Sequence, residues 1–151
     1  MSKDFDTWNQ EKKELNEKTV NLRYYPREIW WVSFGTNIGI EIDGTGTQYD
    51  RPAVIIKGFN KQQCFVTPLT GRKKEGMYHF FVGEVDGREA SAALTQVRIV
   101  DTRRLVRKIG MLNKDLYSEL ISRIVTVLFP VGEVQVSGNN LSPLRGTRPK
   151  Q

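Results

Sequence analysis

The sequence predicts a β-rich α+β domain, in which a small antiparallel sheet curls into a barrel between an N-terminal and a C-terminal helix. Segments rich in β-branched and aromatic residues follow one another closely, and the list of predicted strands is 28–34, 52–57, 63–69, 77–82 and 92–100. Strands without intervening helices favour antiparallel pairing over parallel β-α-β units. A chain of 151 residues with 38% hydrophobic residues can form one ordinary core.

The N-terminal helix is predicted over residues 4–18. Phe5, Trp8 and Leu15 lie at helical spacings there, and either Asp4 or Asp6 can cap the first turn. The Trp30-Trp31 pair in the strand that follows places one indole on each face, so both faces of that strand should be covered.

The C-terminal helix is predicted over residues 114–129, where apolar residues recur every four positions behind Asn113, a suitable cap. A further short basic helix is predicted from Asp101 through Lys108. Between the first two strands, residues 35–50 contain four glycines and little apolar periodicity, which indicates a long loop of the kind that often carries function.

Three regions are therefore expected: a helical extension at 1–26, a barrel domain at 27–130 and a flexible polar tail at 131–151. The longest apolar runs are short and broken by charge, so neither a membrane-spanning helix nor a secretory signal is predicted. A cytoplasmic location without membrane association is the resulting expectation.

The positive charge of the chain is concentrated. The formal net charge is +6, yet residues 51–75 hold six basic side chains against one acidic, and residues 101–130 hold six against three. An anionic partner such as a nucleic acid fits this distribution, and solvated faces without any partner are the alternative.

Several chemistries lack their usual residues. One cysteine and one histidine exclude an internal disulfide and an ordinary Cys/His zinc site. Cys64 and His79 lie within predicted strands, which favours ordinary strand residues over a nucleophile pair. The glycine-rich stretch 44–47 lacks the Lys-Ser/Thr of a phosphate loop, and Glu41 with Asp43 makes only a weak cation site. No cofactor or metal is expected.

Three stretches together resemble the MazF/PemK family of toxin endoribonucleases. They are REIWWVSFGTNIGIEIDG at 27–44, Arg51-Pro52 with AVII and then FVTPLT at 65–70, and SAALTQVRIVDTRRLVRKIGMLNKDLYSELISRI at 91–124. The resemblance covers roughly residues 27–129 and agrees in order and spacing. It implies an SH3-like barrel with a C-terminal helix, usually a homodimer.

The resemblance also implies a function. Members of the family are toxins of type II toxin–antitoxin systems, neutralised by a cognate antitoxin protein. They cleave single-stranded RNA without a metal, using the 2′-hydroxyl of the substrate and leaving a 2′,3′-cyclic phosphate and a 5′-hydroxyl.

Site residues follow from matching positions. Arg51 is the cation that would stabilise the charge on phosphorus, Thr70 its hydroxyl partner, and Glu41 the carboxylate that could accept the 2′-hydroxyl proton. The alternatives are a structural arginine, a turn-capping hydroxyl and a solvated loop acid. Because a guanidinium stays protonated and is a poor base, Arg51 is expected primarily to stabilise the transition state.

Further residues are expected to bind RNA. Gln96 and Arg98 match a Gln-x-Arg strand of the family, where the amide can read a base edge and the cation can hold a phosphate, although burial as structural polar residues is an equal alternative. Arg72, Lys73 and Lys74 would steer the RNA backbone.

The chain departs from the family in three places, of which one is Ile42, where a glutamine is frequent. The loop between Glu41 and Arg51 is longer than the family's, and residues 1–26 have no counterpart in compact members. We hypothesise that Phe5 and Trp8 pack against the barrel, covering part of the cleft or modulating dimerisation.

A non-catalytic binding module is the alternative function. The same barrel occurs in CcdB-type gyrase poisons, which tend to act through C-terminal residues, and here the tail is polar and without an aromatic anchor. A silent family member that binds RNA or a protein is the other form of this alternative.

Overall fold

The computed structural model describes residues 2–131 and confirms the β-rich α+β fold with a helix at each end. The elements are α1 (Phe5–Asn16), β1 (Glu28–Ser33), β2 (Asp50–Gly58), β3 (Gln63–Thr70), β4 (His79–Val85), β5 (Arg88–Ala93), β6 (Arg98–Asp101), β7 (Leu105–Met111) and α2 (Lys114–Leu128), with short 3₁₀ turns at Leu94–Gln96 and Thr102–Arg104. Most of the predicted polar tail, from residue 132 onward, lies outside the described residues. No helix within residues 2–131 is long and apolar enough to cross a membrane.

The strands form one curled antiparallel sheet in the order β4-β5-β3-β2-β1-β7, and β6 adds to β3. The curl arises at β3, which pairs with β2 along one side and is shared on the other. Its first half, 63–66, pairs with β6, and its last residues, Leu69 and Thr70, pair with β5. A strand that changes partners along its length bends the sheet around it.

The predicted basic helix after Asp101 is wrong. Asp101 does cap, since its carboxylate accepts from the Arg103 amide at 2.9 Å, but the capped segment is a single 3₁₀ turn. The chain then extends as β7 and pairs with β1 from Glu28 to Val32. β7 thus pairs with a strand that lies more than seventy positions earlier in the chain. This pairing outweighs the local preference for a helix.

The predicted strand at 92–100 is two strands. β5 ends at Ala93, a 3₁₀ turn intervenes, and β6 begins at Arg98. The Asp86-Gly87 turn is confirmed as the connection between β4 and β5, and both residues have positive φ, 50° and 80°. Two such residues form the type I′ turn that suits a tight hairpin.

Each face of the sheet carries its own core. One face packs against α2, and its buried residues are Ile29, Val54, Ile56, Leu69, Val82, Val85, Ala90, Ala92, Leu94, Leu112, Leu120 and Ile124. The opposite face buries Trp30, Val32, Phe34, Ala53, Ile55, Cys64, Val66, Val100 and Leu105. Neighbouring residues of β2 alternate between the two, as the two-residue period of a strand requires. On β1, Ile29 lies in the first core and Trp30 in the second, so the prediction that both faces of that strand are covered is confirmed.

Both predicted terminal helices are present with their predicted caps. The Asp4 carboxylate accepts from the Thr7 amide at 3.0 Å, and the Asn113 side chain accepts from the Leu116 amide at 2.9 Å. These bonds satisfy amides that a helix start leaves unpaired.

Candidate active site

Arg51 and Thr70 line one cavity of about 390 Å³. Arg51 stands at the start of β2 and Thr70 at the end of β3. Because these strands are antiparallel neighbours, the start of one lies beside the end of the other. The remaining lining residues are Trp31, Thr45, Pro52, Leu69, Gly71, Val85, Asp86, Arg88, Glu89 and Ala90. The structure thus brings together the two residues that the sequence placed at the centre of the site.

The Arg51 side chain is held by two backbone carbonyls. Its Nε donates to the Asp43 carbonyl at 2.8 Å, and its Nη1 donates to the Leu69 carbonyl at 3.2 Å. Burial lowers the pKa of Arg51, and the nearby Asp43 charge opposes that shift. A guanidinium remains charged under all physiological conditions and has five N–H donors. Arg51 is therefore a fixed cation that keeps donors for a ligand in the cavity.

The Thr70 hydroxyl is weakly bonded. It lies 3.5 Å from the Ser91 carbonyl, at the limit of a hydrogen bond, so it remains available to another partner. The chain just after Thr70 is better fixed, because the buried Ser91 hydroxyl donates to the Arg72 carbonyl and accepts from the Lys74 amide, both at 2.8 Å. Ser91 shapes this edge of the cavity, and the sequence reasoning missed it.

The β4–β5 hairpin forms a wall of the cavity that the sequence did not predict. Thr70 pairs with Ser91, so the residues before Ser91 on β5, among them Glu89, must extend past the end of β3. The hairpin brings Asp86 and Glu89 to the cavity. The Asp-Gly turn was visible in the sequence, but the pairing of β5 with β3 was not.

Trp31 forms another wall. Arg107 of β7 lies over its ring, with the guanidinium carbon 5.8 Å from the ring centre. Its indole Nε1 is buried and makes no hydrogen bond within residues 2–131. An indole N–H without a partner is a donor that a ligand or a water can satisfy.

Glu41 does not line this cavity. Its Oε1 accepts from the Ile38 amide at 2.9 Å, within the glycine-rich loop that carries both residues. It faces two other clefts, one beside α1 and one beside Gln96 and Arg98. The structure therefore separates Glu41 from Arg51 and Thr70.

Gln96 binds the same loop. Its Oε1 accepts from the Ile42 amide at 3.0 Å, and its Nε2 donates to the Ile40 carbonyl at 3.2 Å. Arg98 lines the adjoining cleft. The bonds made by Gln96 correspond to the structural role that the sequence left open as its alternative.

The three basic residues after Thr70 lie beside the cavity in sequence and space. Arg72 and Lys73 are exposed and Lys74 is half-buried. The Lys73 ammonium lies 5.0 Å from the centre of the Phe81 ring, a distance that allows a cation–π contact. Their charges flank the site without filling it.

Cys64 and His79 are placed apart, on β3 and β4. Burial, with a further contribution from Asp101, raises the pKa of Cys64 to about 12, so the thiol is not a nucleophile at neutral pH. Burial lowers the pKa of His79, and Lys74 adds to that effect. Across the described chain, no three side chains of His, Cys, Asp or Glu cluster as metal ligands do.

Of the two aromatic residues of α1 expected to pack against the barrel, Trp8 does so and Phe5 does not. Trp8 is 5% exposed and lies against Tyr49, with the ring centres 5.4 Å apart, whereas Phe5 is 47% exposed. Trp8 anchors α1 to the loop of residues 34–49.

Comparison with known proteins identifies the family. The model of the PemK-like, MazF-like toxins of type II toxin–antitoxin systems matches residues 25–128. No curated protein matches the chain.

Solved structures agree in fold. MazF from Deinococcus radiodurans (form I) superposes with a TM-score of 0.60 at 18% identity, covering 72% of this chain and 98% of that one. The toxin MazF-mt6 of Mycobacterium tuberculosis gives 0.52 at 15% identity, covering 66% and 94%. The MazE–MazF structure (form II) from D. radiodurans gives 0.54 at 14% identity, covering 72% and 98%. The chain belongs to the PemK-like, MazF-like toxin family of type II toxin–antitoxin systems.

Proposed function

We propose that this toxin is a metal-independent endoribonuclease that cleaves single-stranded RNA at the cavity of Arg51 and Thr70. The observation that carries the proposal is the convergence of a fixed guanidinium and a weakly bonded hydroxyl in one cavity, from two different strands. Membership of the toxin family supports the same reaction.

The proposed reaction is a transesterification. The ribose 2′-oxygen forms a bond to the adjacent phosphorus, and the bond from phosphorus to the 5′-oxygen of the next nucleotide breaks. The 2′-hydroxyl proton passes to a base and the leaving 5′-oxygen takes up a proton, so the products are a 2′,3′-cyclic phosphate and a 5′-hydroxyl. Negative charge accumulates on the phosphoryl oxygens, where the free donors of Arg51 would stabilise it and Thr70 would position it.

The base is proposed to be a carboxylate. Glu41 is the candidate from the sequence, and it could act only if the loop moved, because Glu41 faces other clefts here. Glu89 already lines the cavity and is exposed. Glu89 is therefore the base that the present geometry favours.

RNA would reach the cavity along the basic residues at 72–74, with Arg98 as a further phosphate contact and Gln96 at the edge of the loop. A cognate antitoxin and a second copy of the chain are the proposed protein partners, and the site of action is the cytoplasm. A related structure is described as an endoribonuclease in complex with its cognate antitoxin.

The test is incubation of the purified protein with a long single-stranded RNA in EDTA, followed by mapping of fragment ends. Wild type should give discrete cuts with 5′-hydroxyl ends. Arg51→Ala should remove cleavage and host toxicity while the protein stays folded. Arg23→Ala, which removes the same charge from an exposed residue away from the cavity, is the matched control and should cut normally.

Two results would contradict the proposal. Folded wild-type protein that leaves RNAs of varied sequence intact would point to a non-catalytic binding module. Cleavage retained by a folded Arg51→Ala protein would remove Arg51 from the mechanism.

A further inference from the structure

A lysine at the start of the chain is bonded to the glycine-rich loop. Lys3 Nζ donates to the Asn37 carbonyl at 2.7 Å and the Gly39 carbonyl at 3.0 Å, and it lies 3.0 Å from an oxygen of the Asp43 carboxylate. One ammonium group therefore gathers both ends of the segment 37–43. An ammonium has three donors, and all three are used here.

Asp43 connects this lysine to the proposed active site. Its Oδ2 pairs with Lys3, its Oδ1 accepts from the Asn37 amide at 2.6 Å, and its carbonyl accepts from Arg51 Nε at 2.8 Å. Fixing the Asp43 side chain fixes the residue whose backbone holds Arg51. Asp43 therefore contacts both Lys3 and Arg51 and links the two side chains directly.

Trp8 packs against the same loop. A Cβ added at Gly35 would lie 2.2 Å from the Trp8 indole, so the loop backbone rests directly on the ring. Arg104 lies on the ring as well, 6.0 Å from its centre, and donates to the Ser33 carbonyl at 2.8 Å. The loop is thus packed on α1 as well as hydrogen-bonded to Lys3.

We propose that the N-terminal segment is a brace, in which Lys3 acts as a positioning residue that sets Arg51 for catalysis through Asp43. The proposal deepens the proposed ribonuclease function and rests on it. A displacement of about 1 Å at a catalytic group can cost on the order of a hundredfold in rate, so a contact remote from the phosphate can matter to the chemical step. Loss of the brace should lower kcat more than it changes KM, because Lys3 does not line the RNA cavity.

The test compares Lys3→Met with Lys13→Met in the full chain. Methionine keeps most of the aliphatic length and removes the ammonium. Lys13 is an exposed lysine of α1, which begins two residues after Lys3, so both variants lose the same charge from the N-terminal segment. Lys3→Met should lower kcat about tenfold with KM within twofold, whereas Lys13→Met should match wild type. Lys3→Arg, which restores charge and donors, should recover most of kcat.

A second measurement does not depend on activity. Amide hydrogen exchange at Asn37 and Ile38 should speed up at least about tenfold in Lys3→Met, because these amides donate to side chains that Lys3 holds in place directly or through the loop. Exchange at Val54, in the middle of β2, should not change.

The outcomes separate the two proposals. Wild type that cuts no RNA contradicts the ribonuclease function, and the exchange data then decide whether the brace exists. Lys3→Met that matches Lys13→Met in both kcat and exchange overturns the brace. Faster exchange with unchanged kcat overturns the positioning of Arg51.

Discussion

The Arg51 cavity and the glycine-rich loop of residues 34–49 differ in how many of their polar atoms already have hydrogen-bond partners. In the cavity, Arg51 uses two of its nitrogens on backbone carbonyls and Thr70 makes one long contact. In the loop, Asp43 bonds through both carboxylate oxygens and its carbonyl, and Gln96 bonds to the loop through both polar atoms of its amide. The cavity keeps donors free for a ligand, whereas the polar groups of the loop are already paired with one another and with neighbouring residues.

This difference assigns separate tasks to residues that the sequence placed in one site. Donors left free in a cavity can serve a transition state, since the stabilising group must be oriented in advance and still unpaired. Groups already paired within a loop supply the orientation. The loop therefore supports Arg51, and the cavity is the proposed place of chemistry.

Among the variants that test this division between cavity and loop, Arg51→Lys should have the largest effect. Lysine keeps the charge but cannot reach the Asp43 and Leu69 carbonyls with two nitrogens of one planar group, so cleavage should fall about a hundredfold or more. Single-turnover cleavage rates measure this. Arg23→Lys, the same change at an exposed residue away from the cavity, serves as control. An Arg51→Lys protein with wild-type rates would show that fixed geometry is unimportant here.

The next effect distinguishes the two carboxylates. Glu89→Gln should lower kcat at least about tenfold, since a general base contributes at least that much. Glu41→Gln keeps an oxygen for the Ile38 amide and should stay within about twofold by the same reasoning. The reverse order of effects would mean that the loop closes over RNA and delivers Glu41.

A smaller effect is expected at Gln96. Gln96→Ala removes two bonds to the loop and should lower the free energy of unfolding by about 1–2 kcal/mol, as measured by urea denaturation. Cleavage should slow while the cut sequence stays the same. A changed cut sequence with unchanged stability would instead make Gln96 a reader of bases.

The smallest effect is expected from the basic residues beside the cavity. Lys73→Met should raise KM about twofold and reduce the slope of log affinity against log salt by about 1, because an exposed cation contributes through counterion release. RNA binding measured across a salt series tests this. Lys13→Met, on α1, should leave the slope unchanged.

The local signals of the sequence were sufficient for the helices, their caps and most strands. They failed after Asp101, where a basic stretch with a good cap continues as β7. What decides that segment is distant: Lys108 lies 3.0 Å from the buried Glu28 carboxylate, and Leu105 enters the core opposite Val32. A local sequence pattern cannot identify partners that lie more than seventy residues away.

The candidate site, like the fold, was predictable in part. Arg51 and Thr70 follow from matching motifs at strand ends. Glu89 does not, because it reaches the cavity only through the pairing of β5 with β3. The same pairing places Ser91 against the chain that follows Thr70, which no local pattern predicts. The role of Lys3 could not be predicted either. Its partners are mostly backbone carbonyls of a loop more than thirty residues away, and a sequence does not show which carbonyl accepts a hydrogen bond.

The chain has three tryptophans, and each one occupies a different environment. Trp8 lies between α1 and the loop, Trp31 lines the cavity, and Trp30 is buried with its indole donating to Glu28 at 3.0 Å. Variants that each retain one tryptophan would convert intrinsic fluorescence into three separate signals. Undocking of α1 would then be read from Trp8, occupation of the cavity from Trp31 and integrity of the core from Trp30, without any attached dye.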